Sequence, residues 1–469
     1  MKSIIGIDIG TTNIKITAFS LMGKQLYSFS KKNKIYDSKD GYDFDKEYIF
    51  SCVLIMLQKI IANDLEILSI GISSFAETLI PVIRKNINYS RTMVWYDRRT
   101  EKQKDDFFNK FDPEYFFKIT GLKPEYLHSI HKLSWYKENN SGMFNKVYKW
   151  LPANSYIAYK LTGELAMDYT LACRTGALNI KERKWSEDIL SILPFTDNVF
   201  PPLIDSGKKI GNLSNEMKNK LQIDYDIPVA LGGHDHICGS YAVAAYRDNV
   251  ILDSMGTAEN IQAIVDIADI NMNQLWQLDI NIGAHVIPEM GYIYDTFDYS
   301  GAVIDFLISL FLNKNKEKLT EKDYNIFCRE ARNYVNQKSN IKLYINQNDR
   351  RNKYKLNNIN FLNISLSTKR GEIFLAGIHH ISEKSKEIIK VLEKIIDEQL
   401  DIIAIGGSTR NSLLMKEKAR ILNRDVYITK IDKAVTLGAA LLGSLAGDYY
   451  DNYKMAVTNI IGDSKKVSI

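Results

Sequence analysis

Residues Ile4 to Ser20 read IIGIDIGTTNIKITAFS: a short apolar run, a break at Gly10-Thr11-Thr12, and a second run that resumes as a strand. One carboxylate, Asp8, stands just before the turn. Gly10 lets the backbone approach an anion closely. The Thr11 and Thr12 hydroxyls and the N–H groups beside them can donate to phosphate oxygens, and Asp8 can hold a hydrated Mg²⁺ next to them. The same grammar returns in Asn249 to Val265, NVILDSMGTAENIQAIV, with Gly256-Thr257 at the turn. Thr11 and Thr257 lie 246 residues apart. Two such hairpins imply a duplicated nucleotide-binding α/β fold whose halves clasp one triphosphate, and therefore phosphoryl transfer.

The chain has 469 residues, too many for one ordinary core, so two domains are expected, 1–245 and 246–469, each carrying one phosphate hairpin. An apolar fraction of 45% with 25% charged residues describes a globular protein. The net charge of +5 is small and its basic residues are scattered, which argues against a nucleic-acid partner while suiting an enzyme that handles polyphosphate. Met1-Lys2 leads straight into a strand and no apolar run is long enough to span a bilayer, so a cytoplasmic location without a membrane partner is expected. Cys52, Cys173, Cys238 and Cys328 form no CxxC pair and read as free, buried thiols.

The first thirty residues predict a three-stranded meander, Asp45 to Ala62 a helix, and Glu66 to Ser73 a strand. Ile227 to Gly232 is a short buried strand running into GGHDH, and IIAIGGSTRN reads as strand, glycine turn and helix. The Ala-rich helix in KAVTLGAALLGSLAG is suited to close packing on a sheet or another helix. Asn313 to Asp323 and Asn346 to Asn358 read as solvated surface insertions. In GGHDH, Asp235 follows a strand and two glycines, a placement that projects a carboxylate into a cleft. His234 and His236 invite a metal reading, but in an extended segment adjacent residues do not share a face and no fourth ligand is evident.

Together these motifs resemble the FGGY family of carbohydrate kinases, whose fold belongs with the actin, hexokinase and chaperone ATPases. GIDIGTTNIK, MVWYDRRT, TGLKPEYLHSIHKLSW, the segment Leu151 to Trp185, GGHDH, DSMGTAEN, IGGSTRN and AVTLGAALLG follow in the family's order. The stretch 340–378 keeps only a frayed version of a second signature, with RGEIFLAGI where more glycine is usual. The resemblance implies two RNase H-like, actin-like domains with the active site in an interdomain cleft, and ATP and Mg²⁺ as cofactors. It assigns the catalytic base to Asp235, which accepts the proton of a substrate hydroxyl.

Glu77 in SSFAET resembles the acidic substrate contact of glycerol kinases, and Trp95 in MVWYDRRT their apolar sugar-face contact. His236 is a further candidate beside the sugar. Where glycerol kinases carry an arginine beside the glutamate this chain has Ala76, and where they carry an aromatic residue after the second phosphate turn it has Asn260, so a roomier, more polar pocket is expected. Gly256 and Thr257 are expected at the β/γ-phosphates, opposite Thr11, Thr12 and Lys15. Gly406, Gly407 and Asn411 resemble the adenosine segment, and Gly301 a further nucleotide-side turn.

The expected activity is phosphorylation of a ketose such as a pentulose, 6-deoxyhexulose or hexulose, or of a polyol or aldonate. Glycerol is disfavoured, and SSFAET and GGHDH depart from the xylulokinase pattern. Two rivals remain. A chaperone- or filament-like ATPase should lack the substrate residues, and a sugar-binding regulator without catalysis should have damaged phosphate turns. A homodimer and a monomer are equally compatible with the sequence.

Overall fold

The opening apolar run forms strand β1 (Lys2–Ile9), which turns at Gly10–Thr12 into antiparallel β2 (Asn13–Phe19) and then β3 (Gln25–Lys32). β1 is buried from Ser3 to Ile9. Both faces of the sheet are therefore covered, which is why the strand reads as a continuous apolar run and not an alternating one. These coordinates come from a computed structural model, which describes residues 1–38, 41–83, 89–243, 249–297, 299–337, 340–345, 359–429, 431, 433–458 and 465–468. Helix α1 (Lys46–Ile61) is capped by Asp45, whose carboxylate accepts from the Glu47 and Tyr48 amides. Its Val53 and Leu57 pack with Ile5, Ile7 and Ile16 in one core.

β4 (Glu66–Ser74) pairs parallel with β1 and sets Gly71 beside Gly6. β5 (Lys209–Asn212) and β6 (Pro228–His234) complete a six-stranded sheet in the order β5-β6-β4-β1-β2-β3. β6 runs directly into helix α2 (Asp235–Ala242), so the GGHDH segment is a strand-to-helix junction.

The plan repeats in the second half. β7 (Val250–Met255) and β8 (Glu259–Asp266) form an antiparallel hairpin turning at Gly256–Thr257. Helices α3 (Gly301–Leu312), α4 (Glu321–Arg332) and α5 (Arg370–Ile396) precede β9 (Asp401–Ile405), which pairs parallel with β7. α6 (Ser412–Leu422) leads to β10 (Val426–Ile428), parallel to β9. Each sheet is thus a Gly-Thr hairpin extended by two parallel strands, the duplicated RNase H-like arrangement. RGEIFLAGI, the frayed signature, opens the 27-residue helix α5. The expected loop at Asn346–Asn358 lies outside the described residues.

The two compact units are not contiguous halves. Unit 1 takes Met1–Tyr246, Val265–Tyr292 and Ile431–Ile461, and unit 2 takes Arg247–Ile264, Ile293–Lys430 and Gly462–Ile469. The expected cut at 245/246 falls outside the described residues. Assigning all of 246–469 to the second domain needs correction, because helix α7 (Ala434–Ala446) belongs to unit 1. The reason is steric. A methyl group on Gly6 would overlap the Thr436 carbonyl oxygen, one on Gly71 the Ala439 carbonyl, and one on Gly438 the Cys238 carbonyl of α2. Small residues on strand and helix let the backbones touch, and α7 covers the sheet of unit 1. No helix among the described residues is long and apolar enough to cross a membrane.

Candidate active site

In unit 1, Asp235 is the first residue of α2. Its Oδ1 accepts the His236 amide at 2.7 Å and lies 3.3 Å from His234 Nε2. The junction beneath it is braced: Gly233 takes φ +118°, and the His234 amide donates to Thr170 Oγ1 at 2.7 Å. That hydroxyl donates to Asp168, which is fully buried and also accepts from Asn154 at 2.8 Å. Burial raises the pKa of Asp235, with the charge of Glu77 adding to the rise, while His236 and Lys15 oppose it.

Asp8, on β1, faces Lys15 on β2, with 3.7 Å between Oδ2 and the ammonium. Burial, and then the charge of Asp235, push the Asp8 carboxyl up to about 7. Its Oδ1 is buried without a hydrogen-bond partner. An orphaned carboxylate oxygen with a second carboxylate close enough to disfavour its charge fits a hard divalent cation, so the donor set suits Mg²⁺.

Glu77 sits just beyond β4 with φ +59°, a left-handed backbone that a non-glycine residue adopts at a cost. Its carboxylate is held by Arg174, Nε to Oε1 at 2.6 Å and a second guanidinium nitrogen to the same oxygen at 2.5 Å. The guanidinium beside Glu77 thus comes from a segment 97 positions further on. Sequence reasoning quoted the stretch containing Arg174 without singling it out. Trp95 donates its indole N–H to Thr11 Oγ1 at 2.9 Å, which ties the MVWYDRRT segment to the Gly10–Thr12 turn. Lys132, from the signature segment, is fully buried and bonded to the Leu127 carbonyl, and burial pulls its ammonium down to about 7.

His234, Asp235 and His236 place ligand atoms within 4.8 Å of one another, closer than the strand argument allowed. The reason is that the chain changes from strand to helix between His234 and Asp235, so strand alternation does not apply there. Among the described residues this trio gains no fourth ligand. The four cysteines are free and buried.

Unit 2 holds a cavity of about 800 Å³ that gathers Gly256, Thr257, Gly301, Gly407 and Asn411, five of the residues expected at the nucleotide. α3 begins against the Gly256–Thr257 turn: the Gly301 amide donates to the Gly256 carbonyl at 3.0 Å, and the Ser300 and Ala302 amides to the Thr257 carbonyl at 3.1 Å. Gly406 takes φ +99° where an added β-carbon would run into the Met255 backbone, and Ser408 Oγ donates to the Gly256 carbonyl at 3.2 Å. Asn411 caps α6, accepting from the Leu413 and Leu414 amides, while its Nδ2 is buried without a partner. Asn260 donates to Thr296 Oγ1 at 2.9 Å in the same unit.

Sequence reasoning missed the cavity's other wall, Asp305 on α3 and Tyr324, Cys328 and Arg332 on α4. Asn313–Asp323 is solvated as expected, apart from the half-buried Leu319 and the buried Asp323, and two of its exposed residues also rim the cavity. Lys316 and Glu321 line the cavity, and Lys316 pairs with Asp305 at 2.8 Å.

The FGGY carbohydrate kinase N-terminal domain matches residues 3–241 and the C-terminal domain of the same family residues 278–447. The chain therefore belongs to the FGGY family of carbohydrate kinases, enzymes of the two-domain actin-like ATPase fold that phosphorylate sugars from ATP. Among its relatives, a xylulose kinase of Staphylococcus xylosus is 23% identical over 97% of this chain and 92% of that protein. An L-fuculokinase of Haemophilus influenzae is 23% identical over 96% of each. A glycerol kinase of Thermococcus gammatolerans is 24% identical over 96% of this chain and 90% of its own length. Among solved structures, a ligand-bound xylulose kinase from Lactobacillus acidophilus superposes with a TM-score of 0.86 at 23% identity, over 100% of this chain and 94% of that one. A Plasmodium falciparum glycerol kinase with ADP gives 0.85 at 17%, over 99% and 94%.

Proposed function

We propose that the protein transfers the γ-phosphoryl group of ATP to a hydroxyl of a neutral ketose of five or six carbons, with Asp235 as general base. The observation that carries this reading is the grouping in unit 1 of Asp235 with Asp8, Lys15 and Glu77, near enough for their charges to act on one another, and with Arg174 paired to Glu77. Asp235 accepts the proton of the attacking hydroxyl through the carboxylate oxygen not engaged by His236, as that hydroxyl oxygen bonds to phosphorus and the bridging oxygen leaves with ADP. Its raised pKa strengthens it as a base, and its half-buried side chain stays open to a substrate hydroxyl.

Glu77 accepts hydrogen bonds from sugar hydroxyls and Arg174 fixes its orientation. The pair carries no net charge and stands with two further carboxylates, which favours a neutral acceptor over an aldonate. Ala76, beside Glu77, favours an acceptor larger than glycerol, and the xylulose kinase and L-fuculokinase among the relatives carry names of ketose kinases. The unit 2 cavity takes the nucleotide, with phosphates toward Gly256–Thr257 and adenosine toward Gly407 and Asn411. Mg²⁺ held through Asp8 would neutralise phosphate charge when bound.

The test is a coupled ADP-release screen across pentuloses, hexuloses, 6-deoxyhexuloses, polyols and aldonates. Fast ADP release with one ketose or a small set of them is expected. Preference for an aldonate or for glycerol would overturn the substrate class. ADP release equally fast without any sugar would overturn the kinase reading in favour of a plain ATPase.

A further inference from the structure

Beneath the second phosphate turn lies a charge cluster that the chemistry above does not use. Lys418, on α6, is fully buried, as are Asp253 on β7 and Glu259 on β8. The Lys418 ammonium donates to Asp253 Oδ2 at 2.5 Å, to Glu259 Oε1 at 2.7 Å and to the Met255 sulfur at 3.6 Å. These three acceptors come from the last residues before the Gly256–Thr257 turn and the first strand residue after it. Glu259 also accepts from the Ser300 hydroxyl at 2.6 Å and the Ser385 hydroxyl at 2.5 Å. Ser300 precedes α3, whose first amides hold the carbonyls of the same turn.

Buried ions seldom stabilise a core better than apolar residues of equal volume. What such a cluster can supply is fixed geometry, since an ammonium bonded to acceptors on both strands of the hairpin restricts how those strands sit against α6. α6, which carries Lys418, is also the helix that Asn411 caps at the adenosine end of the cavity.

We propose that Lys418 is a positioning residue for the nucleotide, locking the 256–257 phosphate turn to α6 so that the two ends of the ATP cavity form one rigid piece. It touches neither phosphate nor sugar and acts through the turn. The inference rests on the nucleotide assignment of the unit 2 cavity. Its test therefore begins with ADP binding to the wild-type protein by titration calorimetry, followed by Glu259→Gln and the charge-matched double variant Lys418→Met/Glu259→Gln. Glu259→Gln keeps an acceptor for Lys418 and leaves that ammonium balanced by Asp253, so it remains folded.

A cavity loosened by the loss of its brace should bind ADP about tenfold more weakly in the double variant and about threefold more weakly in Glu259→Gln, with KM for ATP rising in parallel. KM for the sugar and kcat at saturating ATP should stay within about twofold, a split that a general loss of folded protein would not produce. Folded variants that bind ADP as the wild type does, or that lose kcat and both KM values together, overturn the inference and leave the cavity assignment standing. A double variant that does not fold leaves Glu259→Gln to decide by the same criteria. A wild-type protein that binds no ADP overturns the cavity assignment and the inference with it.

Discussion

Exchanging Asp235 for Asn alters a single group and tests the proposed chemistry directly. In the wild-type protein Oδ1 is held by the His236 amide at 2.7 Å with His234 Nε2 at 3.3 Å, so the other carboxylate oxygen is left to receive the substrate proton. An asparagine keeps its carbonyl oxygen on the same donors and turns its NH₂ toward the hydroxyl, a donor where an acceptor is required. The lost base corresponds to roughly 10²- to 10⁴-fold in kcat, or about 3 to 5 kcal/mol of transition-state stabilisation. Shape and hydrogen bonding are otherwise retained, so KM for sugar and ATP should move little. Because burial raises the Asp235 pKa, wild-type kcat/KM should climb with pH through a midpoint above the ordinary carboxylate range as the base loses its proton, and that limb should vanish in the variant. The assay is coupled ADP release at saturating ATP, with the sugar varied from below to above its KM, across the pH range. A variant that keeps more than about a tenth of its kcat, or retains the same pH limb, would refute the assignment.

Three further outcomes are expected. Arg174→Met leaves the buried Glu77 carboxylate without its guanidinium, a loss of about 3 kcal/mol at the pair. kcat/KM for the sugar should fall about a hundredfold while KM for ATP stays within about threefold, and an unchanged sugar KM would remove the pair from the pocket. Gly71→Ala drives a methyl into the Ala439 carbonyl, so the variant should lose about 3 kcal/mol or more of stability; a wild-type denaturation midpoint would contradict the close helix–sheet contact. His128 is buried with its Nε2 2.7 Å from the Lys123 carbonyl oxygen, and burial lowers its pKa from 6.5 to about 4. The unfolded chain binds that proton first, so this group's contribution to stability is present above pH 6.5 and is lost as the pH falls toward 4. In His128→Gln the penalty is absent, so the stability deficit of the variant relative to wild type should shrink by about 2 kcal/mol between pH 7.5 and 5. A pH-independent difference between the two would exclude a neutral buried imidazole.

Both Gly-Thr hairpins were legible in the sequence because their signal is local: an apolar run, a Gly-Thr turn and a second run lie within twenty residues. The strand end at Asp235 was legible for the same reason, since two glycines mark the junction at which strand turns into helix. Arg174 was not, because it reaches Glu77 across 97 positions and nothing in CRT announces a long-range partner. Charged residues on helices read by default as solvated faces. That hid Lys418, whose compensating carboxylates come from two strands more than 150 positions away, and it hid the contribution of Lys316 and Glu321 to the cavity wall. The Ala-rich helix α7 was legible as a close-packing element. Which sheet it packs on was not, because close packing by small residues specifies a fit and no address.

A ribosome delivers β1, β4 and β6 long before Ala434 leaves its exit tunnel. Between Tyr246 and Ile431 about 185 residues intervene, which at ordinary synthesis rates means a delay on the order of ten to forty seconds. Throughout that interval the Gly6–Gly71 face of the nascent sheet waits without its covering helix. Newly made chains are thus exposed to aggregation and to chaperone capture on the side of the molecule that was synthesised first. A premature stop codon as late as residue 430 would strip the cover from strands already translated, so that losing the end of the message unfolds its beginning.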